Sequence, residues 1–332
     1  LEEGKDGEEK VLKVVFFNGA GGQVADIFQG MCPEGFEVAW RPYRLSDEEK
    51  LPLAREADFV VLHPAKLSGD VLREAKKLRL LQLLTAGYDE IDLGLAGQLG
   101  VPVATNGGAN AWAVAEHAVA LLLALYKRIV PCDRGVREGR WRQGISGFSI
   151  SEVAGKTVGV IGAGNIGRKV ARRLAAFETS ILYYDVVPAP DIEKDLGARR
   201  VSLEELLREA DIFTLHLPLI RETRGLIGRR EFAMMKPTAV LLNTSRGPVV
   251  DEEALIEALR EKRIAGAGLD VFDEEPISPD NPLLQLDSVV LSPHIGGHSY
   301  EAWFRRSGFA WENMQRVAAG QPPLSLAVPE EG

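Results

Sequence analysis

Cysteine is nearly missing from this chain. Only Cys32 and Cys132 occur in 332 residues, which excludes a disulfide framework and a CxxC motif. Both read as ordinary packed or surface thiols. Long hydrophobic runs are missing too: the longest, residues 118–125, is too short to span a bilayer. Basic charge is not in excess. The formal net charge of −9 argues against a general surface for nucleic acid or acidic membrane, though a local basic pocket for an anionic substrate remains compatible with it. The opening LEEGKDGEEK is charged, shows no signal-peptide pattern and lacks an initiating Met, so it reads as a processed end. The expectation is a cytoplasmic protein with neither nucleic acid nor membrane as partner.

What is present is ordinary for a soluble globular protein: 45% hydrophobic and 26% charged residues. The length allows two domains with substantial cores. Short apolar runs at 11–17, 36–40, 59–62, 80–84 and 101–104 alternate with charged, helix-like segments. The same alternation restarts later, with candidate strands at 158–161, 181–184, 212–215, 239–242, 266–269 and 289–291. Such alternation predicts parallel α/β sheets. Ser46-Asp47-Glu48-Glu49 and Ser202-Leu203-Glu204-Glu205 are capping-box patterns that open helices. A long helix over 111–130 is apolar on every face and is expected to be buried, within the monomer or against a partner. The basic stretch 134–147 suits a solvated loop, a dimer arm or a lip over a site, and a last helix is expected over 301–319.

One stretch carries the most information: TVGVIGAGNIGRKVARRLAAFETSILYYD, residues 157–185. An apolar run enters Gly162-Ala163-Gly164-Asn165-Ile166-Gly167, a helical pattern follows, and a second apolar run ends at Asp185. Gly162 permits a tight turn, Gly164 lets backbone approach a pyrophosphate, and Gly167 lets helix pack on strand. The helix N-terminus then offers N–H groups to phosphate. Asp185 sits where a carboxylate accepts from both ribose hydroxyls and repels a 2′-phosphate, and no cation follows it until Lys194. The cofactor expected is therefore NAD rather than NADP. An earlier cluster, Asn18-Gly19-Ala20-Gly21-Gly22, lacks this spacing and reads as a strand-to-helix turn.

Three further strand ends carry side chains suited to chemistry. Leu241-Leu242-Asn243-Thr244-Ser245-Arg246 delivers an Arg, placed to aim its fork of donors at a carboxylate. Gly268-Leu269-Asp270 continues through Val271-Phe272-Asp273-Glu274 to Glu275. Leu291-Ser292-Pro293-His294 delivers the residue type best suited to proton exchange near neutral pH. No metal is expected, because Ile-Gly-Gly between His294 and His298 breaks the helix their spacing would need.

Together with Thr85-Ala86-Gly87-Tyr88-Asp89, Ala115-Glu116-His117, Leu215-His216-Leu217-Pro218 and Pro293-His294-Ile295-Gly296-Gly297, these segments resemble the D-isomer-specific 2-hydroxyacid dehydrogenase family over nearly the whole chain. The resemblance implies a fold of two flavodoxin- or Rossmann-like αβα domains with parallel sheets. The NAD-binding domain, 107–297, would be inserted into a discontinuous substrate domain, 10–106 and 298–332, and closure over NAD and substrate would exclude water. It implies hydride transfer between NAD and a small 2-keto or D-2-hydroxy acid. In that reading His294 is the general acid and base, Glu275 bonds and orients its ring, and Arg246 binds the substrate carboxylate and polarises its C2 oxygen. Ala86 and Gly87 would offer backbone N–H groups to the carboxylate. The cofactor groove would comprise Gly162, Gly164, Asn165, Ile166, Gly167, Asp185, His216, Leu217, Pro218, Thr244, Ser245, Asp270, His294 and Gly296, with Arg224 near the same region. Asp270 would meet the nicotinamide carboxamide. A homodimer through 111–150 is implied, with Trp141 a candidate to reach the partner's site.

Single residues separate some members. Formate dehydrogenases pair the active-site His with Gln, where this chain has Glu275; phosphite dehydrogenases carry Lys where it has Ala86. A short phosphoglycerate dehydrogenase, reductases of glyoxylate, hydroxypyruvate or a larger 2-keto acid, and an NAD-sensing corepressor-like binding protein all remain open. The loop Asn106-Gly107-Gly108-Ala109-Asn110 departs from the Pro-containing version common in the family, which leaves pocket size undetermined.

Overall fold

The computed structural model describes residues 11–142 and 149–328. The charged opening segment and part of the expected dimer arm, 143–148, lie outside the described residues. The chain divides into two compact units: one runs up to Asn110 and resumes from His298, and the other is Ala111–Gly297.

In the first unit, β1 (Leu12–Asn18), β2 (Phe36–Pro42), β3 (Phe59–His63), β4 (Leu80–Leu83) and β5 (Val103–Ala104) form a parallel sheet in the order β2-β1-β3-β4-β5. That is the flavodoxin-like order. Its central strands are mostly apolar because both faces are covered. One face packs Val15, Val60, Leu62, Leu81 and Leu83 beneath neighbouring helices, and the other packs Phe16, Phe59, Val61 and Leu80 against Phe28 and Trp311. Trp311 belongs to the last helix, α12 (Tyr300–Ala318), which follows α3 (Gly69–Glu74), α4 (Leu93–Gln98), α8 (Pro190–Leu196), α9 (Leu203–Glu209), α10 (Arg229–Met234) and α11 (Glu252–Arg260) in the chain. The Asn18–Gly22 cluster is the turn from β1 into α1 (Gly22–Gly30), held by Asn18 Oδ1 accepting from Ala20 N at 2.8 Å. Ser46 forms a full capping box with Glu49 at the start of α2 (Asp47–Glu56).

In the second unit, β6 (Thr157–Ile161), β7 (Ser180–Tyr184), β8 (Arg199–Arg200), β9 (Ile212–Leu215), β10 (Val240–Asn243), β11 (Gly266–Leu269) and β12 (Val289–Leu291) are ordered β12-β11-β10-β9-β6-β7-β8. All pairs are parallel, and the order reverses between β6 and β9, the switch point where open α/β sheets bind ligands.

Two elements differ from the sequence reading. The apolar segment 111–130 is not one helix: α5 (Ala111–Tyr126) ends and α6 (Ile129–Arg137) begins across Arg128, which adopts φ 50. A left-handed residue cannot continue a right-handed helix. The two-residue strand β8 carries no apolar run, since both its arginines are exposed at the sheet edge. Among the described residues no helix is long and apolar enough to cross a membrane.

Candidate active site

The glycines of the β6 turn differ in what surrounds them. Gly162 has φ 93, and a Cβ there would lie 2.5 Å from His216 O. A Cβ on Gly167 would lie 1.9 Å from Gly162 O, so only glycine lets α7 (Asn165–Ala175) sit this close to the strand. Gly164 faces open space, with nothing within 4 Å of its notional Cβ. It is also the N-cap of α7, and no side chain caps it, which leaves the first N–H groups, Asn165 and Ile166 included, to an anionic ligand.

Across the switch point, His216 Nδ1 and Thr244 Oγ1 are buried with no hydrogen-bond partner among the described residues. Such atoms call for an external partner. His216 Nε2 lies 2.7 Å from Thr214 Oγ1, and burial pushes its imidazole down to about 3. The Leu217-Pro218 corner is pinned by Thr223 Oγ1, which donates to Pro218 O at 2.6 Å, while Arg224 is exposed beyond it. Asp185 Oδ2 accepts from Ala163 N at 2.6 Å, which ties the carboxylate to the glycine turn. A turn without room for side chains, an uncapped helix start, orphaned polar atoms and a carboxylate at the end of β7 fit a nicotinamide dinucleotide.

One cation near this carboxylate was not legible in the sequence. Arg200 donates to Asp185 O at 2.9 Å and to Val186 O at 2.9 Å. It arrives through the pairing of Tyr183 with Arg200 across β7 and β8, which no local motif signals.

The ends of β10, β11 and β12 bring three other groups together. Asn243 Oδ1 accepts from Ser245 N at 3.0 Å and Ser245 Oγ at 2.8 Å, and Asn243 Nδ2 donates to Arg246 O at 2.9 Å, shaping the loop that presents Arg246. A Cβ on Gly247 would fall 1.8 Å from Phe272 O, so this loop lies directly on the one that carries Glu275. Glu275 Oε1 accepts from Phe272 N at 3.0 Å, and Oε2 is 2.6 Å from His294 Nδ1. Burial pushes the Glu275 carboxyl up, but the His294 bond and charge, the Phe272 amide and the Arg246 charge outweigh it and hold it below the usual range. An ionised carboxylate only accepts, so Nδ1 of His294 carries the hydrogen and Nε2 is the atom left for proton exchange with a ligand. His294 is exposed and has φ 54.

Asp270 is 2% exposed. Its carboxylate accepts from Ser292 Oγ at 2.6 Å, Ile295 N at 3.0 Å and Gly296 N at 2.8 Å. His117 Nε2 lies 3.3 Å from Oδ1. The sequence assigns no role to His117 or Ser292; its sole signal is their place in Ala115-Glu116-His117 and beside Pro293-His294. Ala86 and Gly87 lie in the first unit, in the loop after β4, where Thr85 Oγ1 donates to Gly87 O at 2.7 Å.

Comparison with known proteins agrees with this chemistry. Residues 119–296 match the family model "D-isomer specific 2-hydroxyacid dehydrogenase, NAD binding domain". A glyoxylate reductase of Korarchaeum cryptofilum is 44% identical over 298 residues, 88% of this chain and 90% of its own length. A D-3-phosphoglycerate dehydrogenase of Archaeoglobus fulgidus is 38% identical over 292 residues, 88% of this chain but 55% of its own length. Among solved structures, an NADPH-dependent glyoxylate/hydroxypyruvate reductase of Sinorhizobium meliloti, in complex with NADP and malonate, superposes with a TM-score of 0.83 at 27% identity, covering 96% of this chain and 97% of that one.

Proposed function

This chain belongs to the D-isomer specific 2-hydroxyacid dehydrogenase family, and from that membership we propose that it is a reductase of small 2-keto acids, glyoxylate or hydroxypyruvate first among them, yielding the D-2-hydroxy acid. It is a nicotinamide-dependent oxidoreductase of 2-keto and 2-hydroxy acids. The observation that carries the reductase reading is the 2.6 Å contact between His294 Nδ1 and Glu275 Oε2, with the Arg246 charge beside it, and the order of substrates rests on similarity to glyoxylate reductases.

The nicotinamide, when bound, supplies the hydride. The rest is the work of this chain. His294 holds a proton at Nε2 for the carbonyl oxygen in reduction and receives it from the hydroxyl in oxidation. Glu275 accepts from Nδ1 and so fixes which ring nitrogen is left to face the substrate. Arg246 grips the substrate carboxylate with paired donors and draws charge from the C2 oxygen. In this reading Ala111–Gly297 is the cofactor domain, and the unit closed by α12 is the substrate domain. Asp185, unable to share space with a 2′-phosphate, favours NAD over NADP.

A homodimer through 111–150 belongs to the same proposal. Its support is the exposure of several large apolar side chains along this stretch: Trp112 at 48%, Ile129 at 54%, Val136 at 56% and Trp141 at 70%. Light scattering that gave the monomer mass would remove it. A cytoplasmic setting also fits, since Cys32 and Cys132 are free thiols. The short phosphoglycerate dehydrogenase reading is the weaker one, because that relative is 38% identical, against 44% for the glyoxylate reductase of Korarchaeum cryptofilum.

The test is a panel of keto acids with NADH or NADPH: glyoxylate, hydroxypyruvate, pyruvate, 3-phosphohydroxypyruvate and aromatic keto acids. NADH oxidation is followed by absorbance, and stereochemistry is read on the chiral products. Turnover fastest with glyoxylate or hydroxypyruvate, and D-glycerate from the latter, is expected. Preference for the phosphorylated acid, or an L product, would overturn the proposal.

A further inference from the structure

Helix α5 runs along β11 in a register that the spacing of both elements dictates. A Cβ on Gly266 would meet Leu125 Cδ1 at 3.2 Å, and one on Gly268 would meet Leu121 Cβ at 3.0 Å. The next step along the strand is Asp270, and the next step back along the helix is His117. Four helical residues rise about 6 Å and two strand residues about 6.6 Å, so the two rows stay matched. The glycines let the helix approach, and the polar pair at the end of the row meets at 3.3 Å.

The direction of the bonds in this cluster follows from chemistry. His117 Nε2 lies 2.7 Å from Ser292 Oγ, and Ser292 Oγ lies 2.6 Å from Asp270 Oδ1. Burial raises the Asp270 carboxyl, but His117 close beside it, the Ser292 hydroxyl and the Gly296 and Ile295 amides outweigh it and hold it below the usual range, ionised. An ionised carboxylate has no hydrogen to give. Ser292 therefore donates its one proton to Asp270, and its oxygen accepts from the N–H of His117 Nε2. The row is a one-way donor chain, His117 to Ser292 to Asp270.

The far end of that chain is the turn carrying His294. Asp270 O accepts from His294 N at 2.8 Å, Oδ1 from Ile295 N at 3.0 Å and Oδ2 from Gly296 N at 2.8 Å. His294 sits at φ 54, a conformation that a side-chain-bearing residue adopts only when its surroundings impose it. A Cβ on Gly296 would fall 2.8 Å from Asp270 Oδ2 and 3.2 Å from His117 Cδ2, so turn, carboxylate and imidazole are in direct packing.

We propose that His117 is a positioning residue for proton transfer: through Ser292 and Asp270 it holds the 294–296 turn in the conformation that presents His294. Glu275 orients the ring, and the chain from His117 orients the backbone beneath it. This rests on the reading of His294 as the acid and base.

The test compares His117→Ala with His117→Gln, which restores an N–H donor of similar reach. Two readouts are taken: steady-state kinetics, and the titration of the His294 ring nitrogens followed by NMR in the protein without cofactor. The chain has five histidines, and a His294→Gln spectrum assigns the signal. His117→Ala is expected to lower kcat about 10- to 100-fold and to move the His294 titration. His117→Gln is expected to recover most of both. Loss of thermal stability alone, with kcat and the His294 titration as in the unaltered protein, would overturn the proposal, and so would a loss that Gln does not rescue. Should His117→Ala fail to fold, Ser292→Ala breaks the same chain by one hydroxyl and is read identically. If no keto acid is turned over, the reductase reading fails, while the His294 titration still decides the positioning role.

Discussion

Glu275 Oε2 stands 2.6 Å from His294 Nδ1, while its other oxygen is fixed by the Phe272 amide at 3.0 Å. One carboxylate thereby locks both the tautomer of the imidazole and the loop that carries the carboxylate itself. Replacing it with Gln keeps the shape and removes the charge. Glu275→Gln is expected to lower kcat about 100-fold and to leave NADH affinity unchanged. Because the carboxyl already titrates below its usual range, the unaltered protein carries this charge throughout the neutral region, and Gln carries none at any pH. His294→Ala is expected to abolish turnover while NADH still binds, as measured by protein-to-NADH fluorescence transfer. Near-normal rates in either variant would remove that residue from its role.

Asp185 and Arg200 set opposite preferences at one spot. The carboxylate of Asp185 repels a 2′-phosphate, and the guanidinium of Arg200, held on Asp185 O at 2.9 Å, would attract it. Asp185→Ser is expected to shift the ratio of kcat/KM for NADPH over NADH upward by about 10- to 100-fold, the worth of one to three kcal/mol between nearby charges. Adding Arg200→Ala to that variant is expected to cancel much of the gain. An unchanged ratio in the single variant would count against the ribose assignment of Asp185.

The contrast between these residues shows what a sequence can carry. Asp185, Gly162, Gly164 and Gly167 lie within one continuous strand-turn-helix-strand unit, so their spacing alone encodes their geometry. Arg246 and His294 stand out for a similar reason: each closely follows the end of a strand of one parallel sheet, and parallel strands deliver their carboxyl ends to one edge. Glu275, in the loop beyond β11, is singled out only through the family resemblance. Arg200 and His117 were not legible as site residues. Arg200 depends on an edge pairing between β7 and β8 with no apolar signature, and His117 depends on a helix-to-strand register set by Gly266 and Gly268. The break at Arg128 is not legible because apolar residues continue on both sides of it, while the residue that ends the helix is set by its backbone conformation.

Two glycines three positions apart make a controlled pair. Gly164 faces open space and Gly167 meets Gly162 O at 1.9 Å from its notional Cβ. Gly164→Ala is expected to leave the melting temperature nearly unchanged and to weaken NADH, because its methyl occupies the approach to the helix start. Gly167→Ala is expected to cost about 1–3 kcal/mol of stability, since backbone on one side and β6 on the other leave the methyl nowhere to go. Calorimetric melting with NADH titration separates the two; equal effects on both readouts would mean that the open face of Gly164 is not where cofactor lies.

His216 ties the cofactor groove to acid stability. Its ring has a folded-state value of about 3, pushed down by burial from an ordinary 6.5. A depressed histidine is neutral in both states above its unfolded value, so nothing is lost there. Below about 6.5 the unfolded chain binds a proton that the folded chain refuses, and stability falls as pH falls until the folded value is reached. This group alone gives a slope of at most about 1.4 kcal/mol per pH unit across that window. His216→Gln cannot take up that proton, so urea unfolding from pH 7 to pH 4 is expected to show a shallower loss of stability than the unaltered protein. The same variant retains an amide toward Thr214 Oγ1, which limits its cost at pH 7. Parallel pH slopes in the two proteins would show that His216 is protonated as readily folded as unfolded, and that its ring nitrogens are open to water.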